Sequence, residues 1–149
     1  MLKGTIGKRS EKVKNIIERG AVKKFAEAIA DLSPIFFDEE VGRNSRYKRN
    51  IAPSTFPVTF DFGVVPELPL PAKGLIHGEQ AFHYTRPLFV GEEIYCYTEV
   101  KDYYEKTGNY GEMGFLVISK IGVDAEDELI FQEERVIIIN EAVRKGMLA

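Results

Sequence analysis

The chain has 149 residues, 44% of them hydrophobic, and a formal net charge of −3. That size and apolar content support a single domain over residues 1–149 with one core, and the small charge, with acids and bases interleaved, argues against nucleic acid as a partner. The only cysteine, Cys96, excludes an internal disulfide. No charged start followed by an apolar stretch marks a secretory leader, which makes the cytoplasm the expected compartment, and no apolar run approaches the roughly 20 residues that span a bilayer.

Residues 12–18 alternate imperfectly and read as a strand ending at Gly20. Over 21–30, Val22, Phe25, Ala26 and Ile29 recur at the spacing of one helical face, with Lys23, Lys24 and Glu27 outside it. Pro34 bars a smooth continuation and holds Ser33 extended, so 31–37 is expected to be an irregular loop. A second short helix is expected after Asp38, an acceptable N-cap. Residues 51–62 are apolar almost all round, with Ser54 and Thr55 where a helix start favours hydroxyls, and this predicts a buried helix, carrying Phe60, at the centre of the fold. Pro66, Pro69 and Pro71 with Gly63 and Gly74 predict a turn-rich connection.

Four long alternating segments follow, at 75–85, 93–104, 113–123 and 129–139. The breaks carry turn chemistry: Arg86-Pro87 and Gly91, then Gly108-Asn109 and Gly111, then Asp124 to Asp127. These predict antiparallel strands. An apolar helix followed by long strands predicts an α+β hot-dog fold, an antiparallel β-sheet wrapped around a central helix, with an open β-barrel as the competing architecture. Open sheet edges invite pairing, so dimerisation through an edge is expected.

Four blocks in order carry a resemblance. They are Glu18 to Ile29; Ser33-Pro34-Ile35-Phe36-Phe37-Asp38-Glu39-Glu40; Ile51-Ala52-Pro53-Ser54-Thr55-Phe56-Pro57; and Leu75-Ile76-His77-Gly78-Glu79-Gln80 with Tyr84-Thr85-Arg86-Pro87-Leu88 and Val90-Gly91-Glu92. Together they resemble the N-terminal MaoC-like, or FAS1-like, dehydratase domain. The resemblance implies a hot-dog fold acting on acyl thioesters of coenzyme A or acyl carrier protein, by reversible removal of water from a 3-hydroxyacyl group. That reaction requires a base for the proton beside the carbonyl, an acid for the departing hydroxide and donors for the thioester oxygen.

Competent relatives carry Asp and His in a loop of pattern Gly-Asp-x-Asn-Pro-x-His. Here the loop reads Ala30-Asp31-Leu32-Ser33-Pro34-Ile35-Phe36, which keeps Asp31 and puts a phenyl ring where the histidine belongs. This departure resembles the non-catalytic subunit of heterodimeric (3R)-hydroxyacyl dehydratases and implies a second hot-dog domain as partner. A homodimeric enzyme using Asp31 or His77 in a changed mechanism, and an acyl-CoA-binding module without turnover, are the alternatives.

Amides at the helix start near Ser54 and Thr55 would receive a thioester carbonyl, unless those hydroxyls only cap the helix. Phe56, Phe60 and Phe62 either line an acyl channel or form core. Arg49, with Arg43, Arg46 and Lys48, would meet the phosphates of coenzyme A or an acidic carrier, or forms a solvated basic turn. His77, Glu79 and His83 would share one face of a regular strand, but His77 and His83 lie about 20 Å apart along it, so no metal site is expected. His77 either substitutes for the missing acid or base or bonds across a sheet or subunit boundary. No dinucleotide or phosphate-cradling signature is present, and no cofactor is expected.

Overall fold

The computed structural model describes residues 2–148 apart from Pro69, Ala72 and Tyr110. The long alternating segments form the strands expected of them. β1 (Val13–Ile16), β2 (Leu75–Tyr84), β3 (Glu93–Gly108), β4 (Gly111–Val123) and β5 (Leu129–Ile139) make one antiparallel sheet in the order β1-β3-β4-β5-β2. β3, β4 and β5 pair as a meander. β2 crosses to the far side and pairs with β5, which leaves β1 and β2 as the two edges. The sheet is therefore open, and the barrel alternative does not apply. The period-2 pattern sorts its faces: Ile94, Cys96, Thr98 and Val100 on β3 are buried, whereas the residues between them are half-buried.

Among the described residues there are also three α-helices, α1 (Arg19–Ala28), α2 (Glu39–Asn44) and α3 (Glu141–Leu148), and short 3-10 turns. α1 buries Val22 and Ala26 in the stripe read from the sequence. Asp38 caps α2 as expected, accepting from Glu40 N at 3.0 Å and Val41 N at 3.3 Å. Beyond residue 139 no element was expected. There α3 is tied to the β3–β4 hairpin by Arg144, which lies 2.7 Å from both Glu105 and Glu112. Hydrogen bonds from Arg144 and then Tyr103 hold the Glu105 carboxyl below its ordinary range.

This is the α+β hot-dog arrangement, with one expectation inside it corrected. Residues 51–62 do not form a buried helix. Only Phe56–Thr59 is helical, as one 3-10 turn, and the chain is extended again at Phe60. Pro53 and Pro57 remove two amide donors from the stretch, so its polar groups find tertiary partners instead. Ala52 N bonds Leu88 O at 2.9 Å, and Phe62 O accepts from Ser10 Oγ at 2.8 Å and Thr98 Oγ1 at 3.2 Å. The turn and α1 together fill the concave face, where Val22, Ala26, Phe56 and Phe62 join Ile94, Cys96 and Phe131 in one core cluster. A second cluster gathers Leu2, Val65, Val100, Leu116 and Ile139.

No helix among the described residues is long and apolar enough to cross a membrane. Cys96 is fully buried, and that burial pushes its thiol up to about 12. A thiol held protonated and out of solvent does not alkylate. The native protein is therefore expected to resist iodoacetamide at neutral pH and to take up one equivalent once unfolded in urea, as read by intact mass; rapid labelling of the native chain would contradict this placement.

Candidate functional site

A cleft of about 420 Å³ opens where the 51–54 segment crosses the end of β2. Phe36, Ile51, Ala52 and Ser54 form one wall, and Tyr84, Thr85, Arg86, Pro87 and Leu88 the other. The two walls are clamped by backbone contacts, an Ile51–Phe89 bridge and the Ala52 to Leu88 hydrogen bond. Tyr84 adds a side-chain tie, donating its hydroxyl to Ser54 O at 2.5 Å. Thr85 fixes the chain as it leaves β2, donating from Oγ1 to Leu129 O at 2.7 Å.

The lining of this cleft is largely apolar. Tyr84 and Arg86 are its ionisable lining residues. Burial, with the Glu133 carboxylate as second cause, raises the Tyr84 hydroxyl well above the phenol range, so it keeps its proton. Arg86 pairs through both terminal nitrogens with Glu92, at 3.0 and 2.9 Å, and its guanidinium lies 4.8 Å from the Phe89 ring centroid. It is a locked cation. No carboxylate or imidazole lines the cleft among the described residues.

The residues singled out from the sequence are dispersed around this cleft. Ser54 lines it. Asp31 does not: its Oδ1 accepts from Ser33 Oγ at 2.6 Å and Ser33 N at 3.2 Å, which is the turn chemistry of a helix-ending aspartate. Thr55 is exposed and precedes the 3-10 turn without capping it, so the helix-start account of an oxyanion site loses its basis. Phe56 is 2% exposed and packs edge-on to Phe25 and Phe60, both at 5.4 Å, as core. Phe60 is half-buried beside Phe62 and Phe131. Arg49 is exposed, donates to Val90 O at 3.2 Å and lies 4.7 Å over Phe89.

His77 is exposed on the edge strand and lines another pocket. The β2 register slips between His77 and Glu79, so these two residues do not share a face as a regular strand would have them. Among the described residues no group of three or more His, Cys, Asp or Glu side chains is placed to hold a metal ion.

Residues 4–133 match the family model described as the FAS1-like, dehydratase domain region. The chain belongs to that family. Among curated proteins it is similar to a UPF0336 protein of Thermobifida fusca (strain YX), 33% identical over 62% of this chain and 65% of that one. A UPF0336 protein of Clavibacter michiganensis is 35% identical over 53% of this chain and 57% of its own length. The chain thus spans less than two thirds of these relatives. In structure it is similar to the HadBC (3R-hydroxyacyl-ACP dehydratase) complex of Mycobacterium tuberculosis, with TM-score 0.74, 18% identity and coverage of 93% and 99% of the two chains. It also resembles the ChsH1-ChsH2 complex of the same organism (TM-score 0.73, 18% identity, 92% and 90% covered) and an (R)-hydratase of A. caviae (TM-score 0.68, 18% identity, 91% and 96% covered).

For a FAS1-like dehydratase domain, the loop 30–36 is the segment of interest, and two features of it escaped the sequence reading. α1 ends with Ala30 N bonded to Glu27 O at 3.1 Å and Asp31 N to Ala26 O at 2.9 Å, with Ala30 in the left-handed region at φ 58°. That is the Schellman ending, whose left-handed position favours glycine, the residue that the active-loop pattern has there. Downstream, Asn50 is 3% exposed and donates to Ile35 O and Asp38 O, both at 2.8 Å, while accepting from Arg19 Nη1 at 2.9 Å. It pins the segment that carries Phe36. Gly42 leaves the space for it, since a Cβ there would sit 2.7 Å from Asn50 Nδ2. A buried amide bonding two carbonyls is a signal a sequence pattern does not carry.

Two stability measurements follow from this loop. Ala30→Gly is expected to gain about 1 kcal/mol, because glycine relieves the left-handed strain by more than its added unfolded-state entropy costs. Asn50→Ala is expected to lose about 2–3 kcal/mol by leaving buried carbonyls unpaired. Urea unfolding monitored by circular dichroism reads both; a neutral Asn50→Ala would remove Asn50 from the role of loop anchor.

Proposed function

We propose that the chain is the accessory, acyl-thioester-binding component of a 3-hydroxyacyl-CoA or acyl carrier protein dehydratase, completed by a second hot-dog domain that supplies the acid and base. The observation that carries this reading is Phe36. It is 8% exposed and lines the cleft, in the loop position that holds histidine in the active-loop pattern. Elimination of water moves one proton off the carbon beside the carbonyl and delivers one to the departing hydroxide. Phe36 does neither, Tyr84 holds its proton, and Arg86 is locked to Glu92. The apolar lining suits an acyl chain. Ser54 is the polar contact proposed for the thioester end, and Arg49 for the carrier phosphates.

The sheet supports a partner on one side. β2 is a 10-residue edge strand, exposed over most of its length, with backbone groups paired on the β5 side alone among the described residues. An edge of that length is stable in solution when covered or paired. A second hot-dog domain placed along β2 would close the cleft beside Tyr84, and the cytoplasm is the compartment this function implies.

Hydration of crotonyl-CoA and longer enoyl-CoA substrates tests the reading, with the protein alone, with a candidate subunit bearing the intact Asp and His loop, and with Asp31→Asn and His77→Ala variants. The expected result is no turnover alone and turnover on mixing. Turnover by the protein alone, abolished in one variant, would replace the accessory reading with a self-sufficient homodimeric enzyme; acyl-CoA binding without turnover under either condition would make it a binding module.

A further inference from the structure

The concave face carries a polar group that the cleft does not use. Glu133 on β5 is 0% exposed. Its Oε1 accepts from Gln80 Nε2 at 2.6 Å and from Arg135 Nε, whereas its Oε2 has no partner among the described residues. A buried carboxylate carries a desolvation penalty of several kcal/mol, which an apolar residue of the same size avoids, and the unpaired oxygen adds to it. Stability alone does not account for this arrangement.

What the arrangement delivers is a fixed guanidinium. Arg135 is held at Nε, so its two terminal nitrogens are what it has to offer a ligand, and no hydrogen bond or ion pair occupies them among the described residues. Lys120 lies opposite Glu133 in the β4–β5 register, with its ammonium 5.0 Å over the Phe62 ring. This face of β4 and β5 therefore brings two cationic side chains, Lys120 and Arg135, around one carboxylate, an excess that favours an anion.

Arg135 lines a pocket of about 410 Å³ together with Gln80 and His77. His77 and Gln80 are three residues apart and would face opposite sides of a regular strand. The register slip between His77 and Glu79 brings both to the same pocket, so the bulge assembles the polar end of the site. The rest of the wall is apolar, formed by Val58, Leu75, Ile76 and Ile137, and Val58 and Ile76 are about half exposed.

We propose that this pocket binds an amphipathic organic carboxylate, with the carboxyl group on the terminal nitrogens of Arg135 and the His77 imidazole, and the hydrocarbon body against Ile137, Leu75 and Ile76. The two parallel N–H groups of a guanidinium match the two oxygens of a carboxylate. Inorganic phosphate also matches the fork but leaves the apolar wall wet. The inference does not depend on the accessory-subunit reading.

The test is a calorimetric and amide NMR titration of the full chain with hexanoate at neutral pH, with hexanamide and inorganic phosphate as comparison probes. Saturable hexanoate binding is expected, with shifts at residues 75–80 and 135–137 and affinity roughly tenfold or more above either comparison probe. Arg135→Gln is expected to weaken hexanoate by roughly tenfold with the circular dichroism spectrum unchanged. Should that variant not fold, Arg135→Lys and His77→Ala keep the proposal testable, each expected to weaken binding by roughly threefold or more. Absence of saturable hexanoate binding, equal affinity for hexanamide, phosphate binding as tightly as hexanoate, unchanged affinity in the folded variants, or shifts confined to the Phe36–Tyr84 cleft would each overturn it.

Discussion

The concave face of this sheet is organised around the ring of Phe131. That ring is fully buried and lies so close over β4 that a Cβ on Gly122 would come within 2.1 Å of it, so the position opposite must be glycine. Above it sit Phe60 at 6.2 Å, Phe62 at 6.1 Å and Tyr84 at 5.7 Å, in the tilted and edge-on geometries that aromatic quadrupoles favour. One residue thereby ties the irregular 56–62 segment to the sheet and sets the depth at which Tyr84 enters the cleft. α1 covers part of the concave face; over the rest, a fan of phenylalanines on a proline-interrupted chain stands where a buried helix was expected.

That substitution explains what was legible in the sequence. The strands were legible because alternation of exposure is a local property: β5 begins and ends where its pattern does, and β2 extends to within one residue of the expected end. α1 was legible for the same reason, its stripe falling on Val22 and Ala26. Residues 51–62 misled because an all-round apolar stretch satisfies a buried helix and a buried coil equally, and the difference lies in backbone accounting. Pro53 and Pro57 were the local warning. The partners that made coil affordable, Ser10, Asn15 and Thr98, come from distant parts of the chain.

The site was less legible, and for a related reason. The blocks of the family resemblance contain Phe36, Ser54 and Tyr84 to Leu88, which the fold brings together around one cleft although they are far apart in sequence. They did not say which of their side chains point into it. Asp31 turns back on Ser33, and Phe56 turns into the core. The bulge on β2 is the clearest case: strict alternation groups His77 with Glu79 and His83, whereas one slipped residue groups it with Gln80 and Arg135 instead. A single extra residue in a strand changes which chemistry is assembled, and nothing at Gly78 other than its small size announces it.

The two pockets share a strand. Tyr84 ends β2 at the Phe36–Leu88 cleft, and His77 and Gln80 lie at the other pocket toward its start. The same strand presents the edge that a second hot-dog domain would pair with. Under the two proposals, ligand contacts and assembly contacts would be carried by one row of ten residues, with side chains lining the pockets and the outer backbone groups facing the edge. Coupling between two such events is reciprocal: whatever pairing at the edge does to pocket affinity, pocket occupancy does to pairing. A β2 substitution that lowers binding therefore acts through the pocket only if it leaves assembly unchanged, and the two readouts have to be measured on the same variant before either is assigned to a side chain.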